Sequence, residues 1–432
     1  QTKAGNYFVA NYPPFSFWKP EGRKDVLAAL AQTPDPGTPL GVYVHLPFCR
    51  KRCHFCYFRV YTGKDAKPNR VSRYVGAVLR ELSMYADEPL IQGRRPKYVY
   101  FGGGTPSFLS PKQLTKLADR LREHITWDGA EEVTFECEPG TLSETKVKTL
   151  RDVLGVTRLS LGVESFSDEI LELNGRAHLS KEVYNAWNWI TAAEFPNVNI
   201  DLISGMVGET WDNWKENIRK TVELSPESVT IYQMELPYNT VISKDILGNQ
   251  VESPVADWDT KRAWVQYAFE ELKSAGYSVS SAYTVVKDPN KVNFSYRDNL
   301  WQGADLLATG IASFGHANGV HYQNLAALEQ YLGAIESGSL PLGRGFVPSD
   351  HQRLVRETIL LLKRGHLDAG YFREKFGVEI LQLFDKQWQG YVKDGYVKID
   401  GDQIRLTVDG LLTVDGLLPA FFEPEFQGVR YT

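Results

Sequence analysis

From residue 42 to residue 282, short β-type runs alternate with helical patterns. The runs are Val42–Leu46, Tyr98–Phe101, Glu132–Glu136, Arg158–Gly162, Val198–Ile203, Val229–Met234 and Tyr277–Ala282. Between most of them lie helical stretches at Ser72–Tyr85, Ser110–His124, Ser143–Leu154, Lys181–Ala193, Trp211–Val222 and Trp258–Ala275. Strands separated by helix-length crossovers predict a parallel sheet with right-handed connections, either open or closed into a barrel. Ser110-Pro111 reads as an N-cap followed by proline at the first helical position.

The flanks read differently. Residues 1–40 form an irregular arm, aromatic at Tyr7, Phe8, Tyr12, Phe15, Phe17 and Trp18 around Pro13-Pro14. Residues 41–341 hold the alternating pattern and its extension. Residues 342–432 show helices at Asp350–Lys363, Ala369–Lys375 and Val378–Lys393 before short strands at Tyr396–Ile399 and Gln403–Leu406. That order suggests a winged-helix-like module, here without a basic recognition helix, so a packing or lid role is favoured over nucleic-acid binding. A net charge of −5 removes the global basic field that nucleic-acid binding uses. No apolar run is long enough for a membrane helix. The start lacks a charged segment leading into an apolar core and begins at Gln1, which reads as a trimmed cytoplasmic chain.

The chain has four cysteines, too few for a disulfide framework. Three of them, Cys49, Cys53 and Cys56, crowd into Pro47-Phe48-Cys49-Arg50-Lys51-Arg52-Cys53-His54-Phe55-Cys56 just after the first strand. Clustered cysteines in a reducing compartment read as metal ligands. Three thiolates can hold three irons of a [4Fe–4S] cube and leave the fourth iron open for chemistry. A zinc loop would need a fourth ligand, with His54 the candidate at an awkward spacing. Cys137 lies inside a β-run and reads as a small buried hydrophobe.

Cys-x3-Cys-x-aromatic-Cys after the first strand, with Phe101-Gly102-Gly103-Gly104-Thr105-Pro106 after the second, resembles the radical S-adenosylmethionine (SAM) enzymes. Further stretches narrow the resemblance: Leu159-Ser160-Leu161-Gly162-Val163-Glu164, Asn174-Gly175-Arg176 and Ile200-Asp201-Leu202-Ile203-Ser204-Gly205. Together they resemble the branch of oxygen-independent coproporphyrinogen III oxidase, its heme-chaperone relatives and class C methyltransferases. The resemblance implies an α/β fold, a partial (β/α)6 TIM-like barrel with the cluster at the C-terminal ends of the strands. It also implies reductive cleavage of SAM to a 5′-deoxyadenosyl radical at a cluster held by Cys49, Cys53 and Cys56. Tyr43, Gly103 and Glu136 would lie near the cluster-bound SAM. Phe55, Gly104, Thr105, Glu164, Arg176 and Asp201 would surround a second SAM, closed over by the Gly310–His316 region with Ala312.

Three departures shape the expected reaction. Phe58 stands where the oxidases carry an additional cysteine, and Glu164 where the branch usually has glutamine. Arg297-Asp298-Asn299-Leu300-Trp301 replaces the chaperones' His-Asn-x-x-Tyr-Trp. The leading expectation is therefore two-SAM C-methylation or methylene transfer on an unsaturated small molecule. The alternatives are oxidative decarboxylation of a porphyrinogen and a heme-chaperone-like carrier. Glu235, after the sixth strand, is a candidate base or substrate ligand, and His316 a candidate proton shuttle. Arg50-Lys51-Arg52 either forms a solvated loop or docks an acidic reductant such as flavodoxin or ferredoxin. The aromatic arm is expected to pack rather than to stack on a conjugated substrate.

Overall fold

The computed structural model describes residues 9–235 and 255–429. The helical crossovers return the chain in one direction each time. Strands β1 (Leu40–Leu46), β2 (Tyr98–Gly103), β3 (Glu132–Cys137), β4 (Arg158–Glu164), β5 (Asn197–Ser204) and β6 (Ser228–Gln233) therefore lie side by side, parallel and in sequence order. Their C-terminal ends all emerge on one rim, as in a partial α/β barrel.

The crossover helices form where the sequence marks their caps and apolar faces. Ser110 and Gln113 complete a capping box at Pro111–Arg122, which buries Leu114, Leu117, Ala118 and Leu121 at helical spacing. Pro68–Ala86 turns Val71, Tyr74, Val75, Val78, Leu82 and Tyr85 inward in the same way.

Several elements depart from the sequence expectation. The single run at Tyr277–Ala282 is a hairpin, β7 (Ser278–Ser281) and β8 (Thr284–Val286), with β8 antiparallel to β6. Beyond β1, the sheet continues through β9 (Asp305–Thr309), parallel to β1, and then antiparallel β10 (Phe314–Ala317), β11 (Val320–Asn324) and β12 (Leu342–Phe346). The irregular arm contains a helix at Arg23–Leu30, which packs Val26 and Leu30 into the main core. Before it, Lys19 exchanges two backbone hydrogen bonds with Gly345 of β12, at 3.2 and 3.0 Å. The expected helix at 378–393 breaks at Phe384, whose backbone (φ −110°, ψ 29°) leaves the helical region. β13 (His366–Asp368) adds a third strand to the C-terminal hairpin of β14 (Val397–Asp400) and β15 (Gln403–Leu406).

The C-terminal module has its own core, shared with the arm through Val9 and Tyr12 and with the hairpin through Ala282. Tyr12 packs between Phe422 and Phe426, Phe15 sits on Phe314, and Trp18 stacks on His321. Tyr7 and Phe8 lie outside the described residues.

The fold corrects the reading of His316. It is aligned with Leu306, which pairs with Gly41 at the start of β1. That places it roughly 16 Å of strand away from Leu46 and the cysteine loop. Its Nδ1 lies 3.1 Å from the Ala304 carbonyl oxygen. Burial, reinforced by the Arg356 charge, pushes its pKa to about 3, so it is a neutral packing histidine at the wrong end for proton transfer.

Glu81 ties the Pro68–Ala86 helix to the segments that follow β9. Buried in the Pro68–Ala86 helix, it accepts hydrogen bonds from the Gly310 amide (2.8 Å), the Tyr331 hydroxyl (2.6 Å) and Asn324 Nδ2 (2.6 Å). About two turns earlier on that helix, Tyr74 donates to the His45 carbonyl and accepts from the Ile311 amide. The helix thereby fixes both the end of β1 and the turn after β9. Glu81→Ala strips three buried donors at once, so denaturant unfolding should show a loss on the order of 3 kcal/mol. Glu81→Gln, which keeps an acceptor, should lose less; a wild-type midpoint for the alanine variant would refute this linkage.

Candidate active site

The inner face of the parallel sheet is polar. On β4 the residues Arg158, Ser160, Gly162 and Glu164 share one face, while Leu159, Leu161 and Val163 turn outward into the helix-packed core. Neighbouring strands add Tyr43 and His45, Tyr100 and Gly102, Thr134 and Glu136, Asn199 and Asp201 to the same bore.

At its C-terminal rim the cysteine loop is pinned from two sides. The Cys49 amide donates to the Tyr61 carbonyl, and the Tyr61 amide to that of Pro47. Across the rim the His54 amide donates to the Asn174 carbonyl (3.0 Å), and the His54 ring lies over Gly175. Gly175 has φ +72°, and a Cβ there would sit 2.6 Å from that ring, which is the physical content of Asn174-Gly175-Arg176. Because His54 faces Gly175 and the Leu173 carbonyl, it does not join the thiols. Gly104 has the same logic: a Cβ would lie 3.0 Å from Cys49 Sγ and 2.9 Å from the Pro47 carbonyl carbon.

The thiols have a matched setting. Thr105 Oγ1 donates to Cys49 Sγ and Arg176 Nη1 to Cys53 Sγ, each at 3.3 Å. Burial pushes the Cys49 thiol up to about 12 and raises that of Cys56. Bare thiolates are therefore disfavoured here, whereas metal charge would hold them ionised. Among the described residues, no group of three His, Cys, Asp or Glu converges on a position for one metal ion. Three half-buried thiols on one loop, with hydrogen-bond donors to sulfur and bare glycine backbone alongside, fit a multi-iron cluster.

Burial raises the pKa of each carboxylate that lines the bore. Glu136 accepts from the Tyr100 hydroxyl (2.7 Å) and the Gly103 amide (3.2 Å), and burial raises its pKa to about 7 against those bonds. Glu164 sits on a bulge of β4 with φ +65°, unusual for a non-glycine residue, 3.4 Å from Arg176. Burial lifts it to about 7 despite that guanidinium. Asp201 is raised by burial while Ser160 (2.7 Å) and Asn199 (2.9 Å) hydrogen-bond to it.

Tyr43 donates to or accepts from His45 Nδ1 at 3.1 Å. Phe55 packs with Ile170, Ile203, Met206 and Met234 on one wall. Ala312 lies on the turn after β9, at the same rim. Glu235 follows β6 by two residues, close enough to act electrostatically on Tyr57 and on the buried Lys261, whose Nζ donates to the Met234 carbonyl (2.7 Å). Residues 236–239 of the same stretch lie outside the described residues.

The structure thus gathers all the expected site residues at this rim or in the bore except His316. It also changes the reading of the basic triplet, because Arg50 is bound to Glu138, to the Ala177 carbonyl and, at 3.6 Å, to Glu182. Burial opposes ionisation of Glu138, yet His178, Arg50 and Arg176 hold it at about 2. Arg52 likewise braces the loop through the Cys56 carbonyl. Phe58, in the position of the oxidases' extra cysteine, packs in a tilted contact against Tyr57 and is half exposed. Tyr100 and Arg158 went unread in the sequence, although the polar-apolar alternation along β2 and β4 marks both as bore-facing.

Residues 43–221 match the radical SAM superfamily. The chain carries a radical SAM domain. It is 26% identical over 418 residues to oxygen-independent coproporphyrinogen III oxidase of Pseudomonas aeruginosa, covering 93% of this chain and 89% of that protein. It is 28% identical over 377 residues to a heme chaperone of Lactococcus lactis, covering 86% and 94%. The solved structure of Escherichia coli coproporphyrinogen III oxidase shares the fold, with a TM-score of 0.84 at 24% identity over 96% of both chains. A radical SAM domain implies a [4Fe–4S] cluster and SAM. These relatives correct the expected reaction: they are named for coproporphyrinogen oxidation and heme chaperoning, which overturns C-methylation and methylene transfer. No helix among the described residues is long and apolar enough to cross a membrane.

Anaerobic reconstitution tests the thiol set directly. Cys49→Ala, Cys53→Ala and Cys56→Ala should each lose bound iron, sulfide and brown absorbance, whereas Cys137→Ala, altering a side chain buried in the core, should keep them. Retention of iron and colour by any of the first three would remove that residue from the set.

Proposed function

We propose that this chain is a radical SAM oxidoreductase that converts propionate side chains of a porphyrinogen-class tetrapyrrole to vinyl groups by oxidative decarboxylation. The observation that carries this reading is the three-thiol loop at the rim of a polar bore, in a chain similar to coproporphyrinogen III oxidases over about nine-tenths of its length. Each propionate loses a hydrogen atom, carbon dioxide and one electron to an acceptor, leaving the vinyl group.

Cys49, Cys53 and Cys56 would hold the cluster, which with SAM supplies the radical that removes the hydrogen atom. Every other part of the task falls to side chains and backbone of this domain. Gly103 and Gly104 let a ligand approach the main chain. Glu136, oriented by Tyr100 and the Gly103 amide, accepts an ammonium group, and Tyr43 walls the same position. Phe55 supplies an apolar side. In this reading Glu164, Arg176 and Asp201, with Thr105 and Ala312, line a position for a second SAM: Arg176 suits a carboxylate, and Asp201 suits ribose hydroxyls. Glu235 and Lys261 stand at the mouth, where substrate enters, as a proton-exchanging pair. The triad is complete without a thiol at Phe58, whose ring lies outside it. An acidic electron donor such as flavodoxin or ferredoxin would meet the rim through Lys51 and the outer face of the loop.

Two measurements test the reading. Cluster-loaded enzyme given SAM, reductant and coproporphyrinogen III under anaerobic conditions should release 5′-deoxyadenosine together with carbon dioxide and a vinyl product. Deoxyadenosine without carbon dioxide or vinyl would overturn it. SAM affinity should rise with pH through about 7, because Glu136 must ionise to pair with an ammonium and burial raises its pKa to that value. Glu136→Gln should bind SAM roughly tenfold or more weakly and with a flat profile over that range; a variant retaining the wild-type slope would place the titrating group elsewhere.

A further inference from the structure

Among the described residues, Arg158 is a charged group of the bore with no hydrogen-bond or ion-pair partner for its side chain. Arg158 opens β4, hydrogen-bonded into the sheet between β3 and β5, and its residue is 6% exposed. Among the described residues its guanidinium makes no hydrogen bond and no ion pair, and its Nε is fully covered without an acceptor. Its near neighbour is the face of Phe294, with Cζ 4.8 Å from the ring centroid. Arg297 lies on the same ring at 4.6 Å, but is bound to Asp298 (2.8 Å) and Ser280 (3.1 Å). Arg176, nearer the rim, is bound to Cys53, Gly162 and Glu164.

The carboxylates nearby are already occupied. Glu136 is held by Tyr100 and Gly103, and Asp201 by Ser160 and Asn199. Arg158 acts on both through space but lies beyond ion-pair distance of either. A buried guanidinium left without a counter-charge is strongly disfavoured, and its planar fork matches a carboxylate in a bidentate pair. Its parity with Ser160 and Gly162 turns it into the bore rather than into the helix layer.

We infer that Arg158 is a carboxylate-binding residue of the bore, completed by a ligand rather than by the protein. This assignment deepens the proposed function and rests on it for one of two sources of carboxylate: the amino-acid end of a SAM molecule, or a propionate of the tetrapyrrole.

Equilibrium binding to cluster-loaded protein tests it, with SAM, with coproporphyrin III as a stable tetracarboxylate, and with coproporphyrin III tetramethyl ester. Arg158→Gln should weaken one of the two carboxylate ligands roughly 10- to 100-fold. Loss on SAM alone identifies the SAM carboxylate. Loss on coproporphyrin, with disappearance of the wild-type preference over the ester, identifies a propionate. Arg158→Lys keeps the charge without the fork and should fall between wild type and the glutamine variant. If the glutamine variant fails to retain iron, the lysine variant decides, since its affinity for one ligand should still drop severalfold. Affinities within twofold of wild type for both ligands in the iron-retaining variant overturn the assignment. The outcomes separate from those of the proposed function: decarboxylation with unchanged affinities removes this site alone. Weakened SAM binding in a protein indifferent to coproporphyrin keeps the site and removes the tetrapyrrole.

Discussion

The parallel run of β1–β6, with its polar inner face, leaves the molecule one arrangement for its apolar residues. The outward rows, such as Leu159, Leu161 and Val163 on β4, must be covered by the crossover helices, so the hydrophobic core surrounds the sheet instead of filling it. The bore is then free to carry Glu136, Glu164, Asp201, Arg158 and a set of tyrosines at a depth where burial shifts every acid upward. Parallel direction also puts all the strand-end loops on one rim, where the cysteine loop, the Gly102–Gly104 turn and Asn174-Gly175-Arg176 meet.

That rim is assembled by backbone contacts between distant segments. The cysteine loop follows β1, yet its position is set by Tyr61, by Asn174 and by the glycine at 104. Arg50 and Arg52, cationic in sequence, serve to brace the loop against Glu138 and the Cys56 carbonyl. The rigid setting matters because donors to sulfur from Thr105 and Arg176 act over fixed short distances.

Much of this was legible in the sequence. Alternating runs and crossovers gave the parallel order of β1–β6, and the cysteine and glycine spacings marked the rim. The remainder depended on contacts that local pattern does not encode. The 277–282 run looks like one strand because Ala282 and Tyr283 are ordinary strand residues; antiparallel pairing with β6 makes them a turn. β9–β12 are short, and β10–β12 pair antiparallel, so no repeating crossover announces them. His316 carried the right chemistry for a proton shuttle, but strand register put it at the other end. The reaction itself was read from single departures such as Phe58, which lies outside the thiol triad, and relatives similar along the chain overruled that reading.

The two backbone hydrogen bonds between Lys19 and Gly345 fall on β12, the outermost strand on its side of the sheet. An open sheet, unlike a closed barrel, ends in a row of unpaired amides and carbonyls that another chain can extend. The arm occupies part of that row, and Gly22 and Gly345 approach so closely that a Cβ on Gly22 would lie 2.3 Å from the Gly345 carbonyl oxygen. Proline follows immediately at position 20, with no amide hydrogen to offer a further strand. The segment that looks irregular in sequence therefore acts as a selvedge, finishing the sheet's raw edge against self-association.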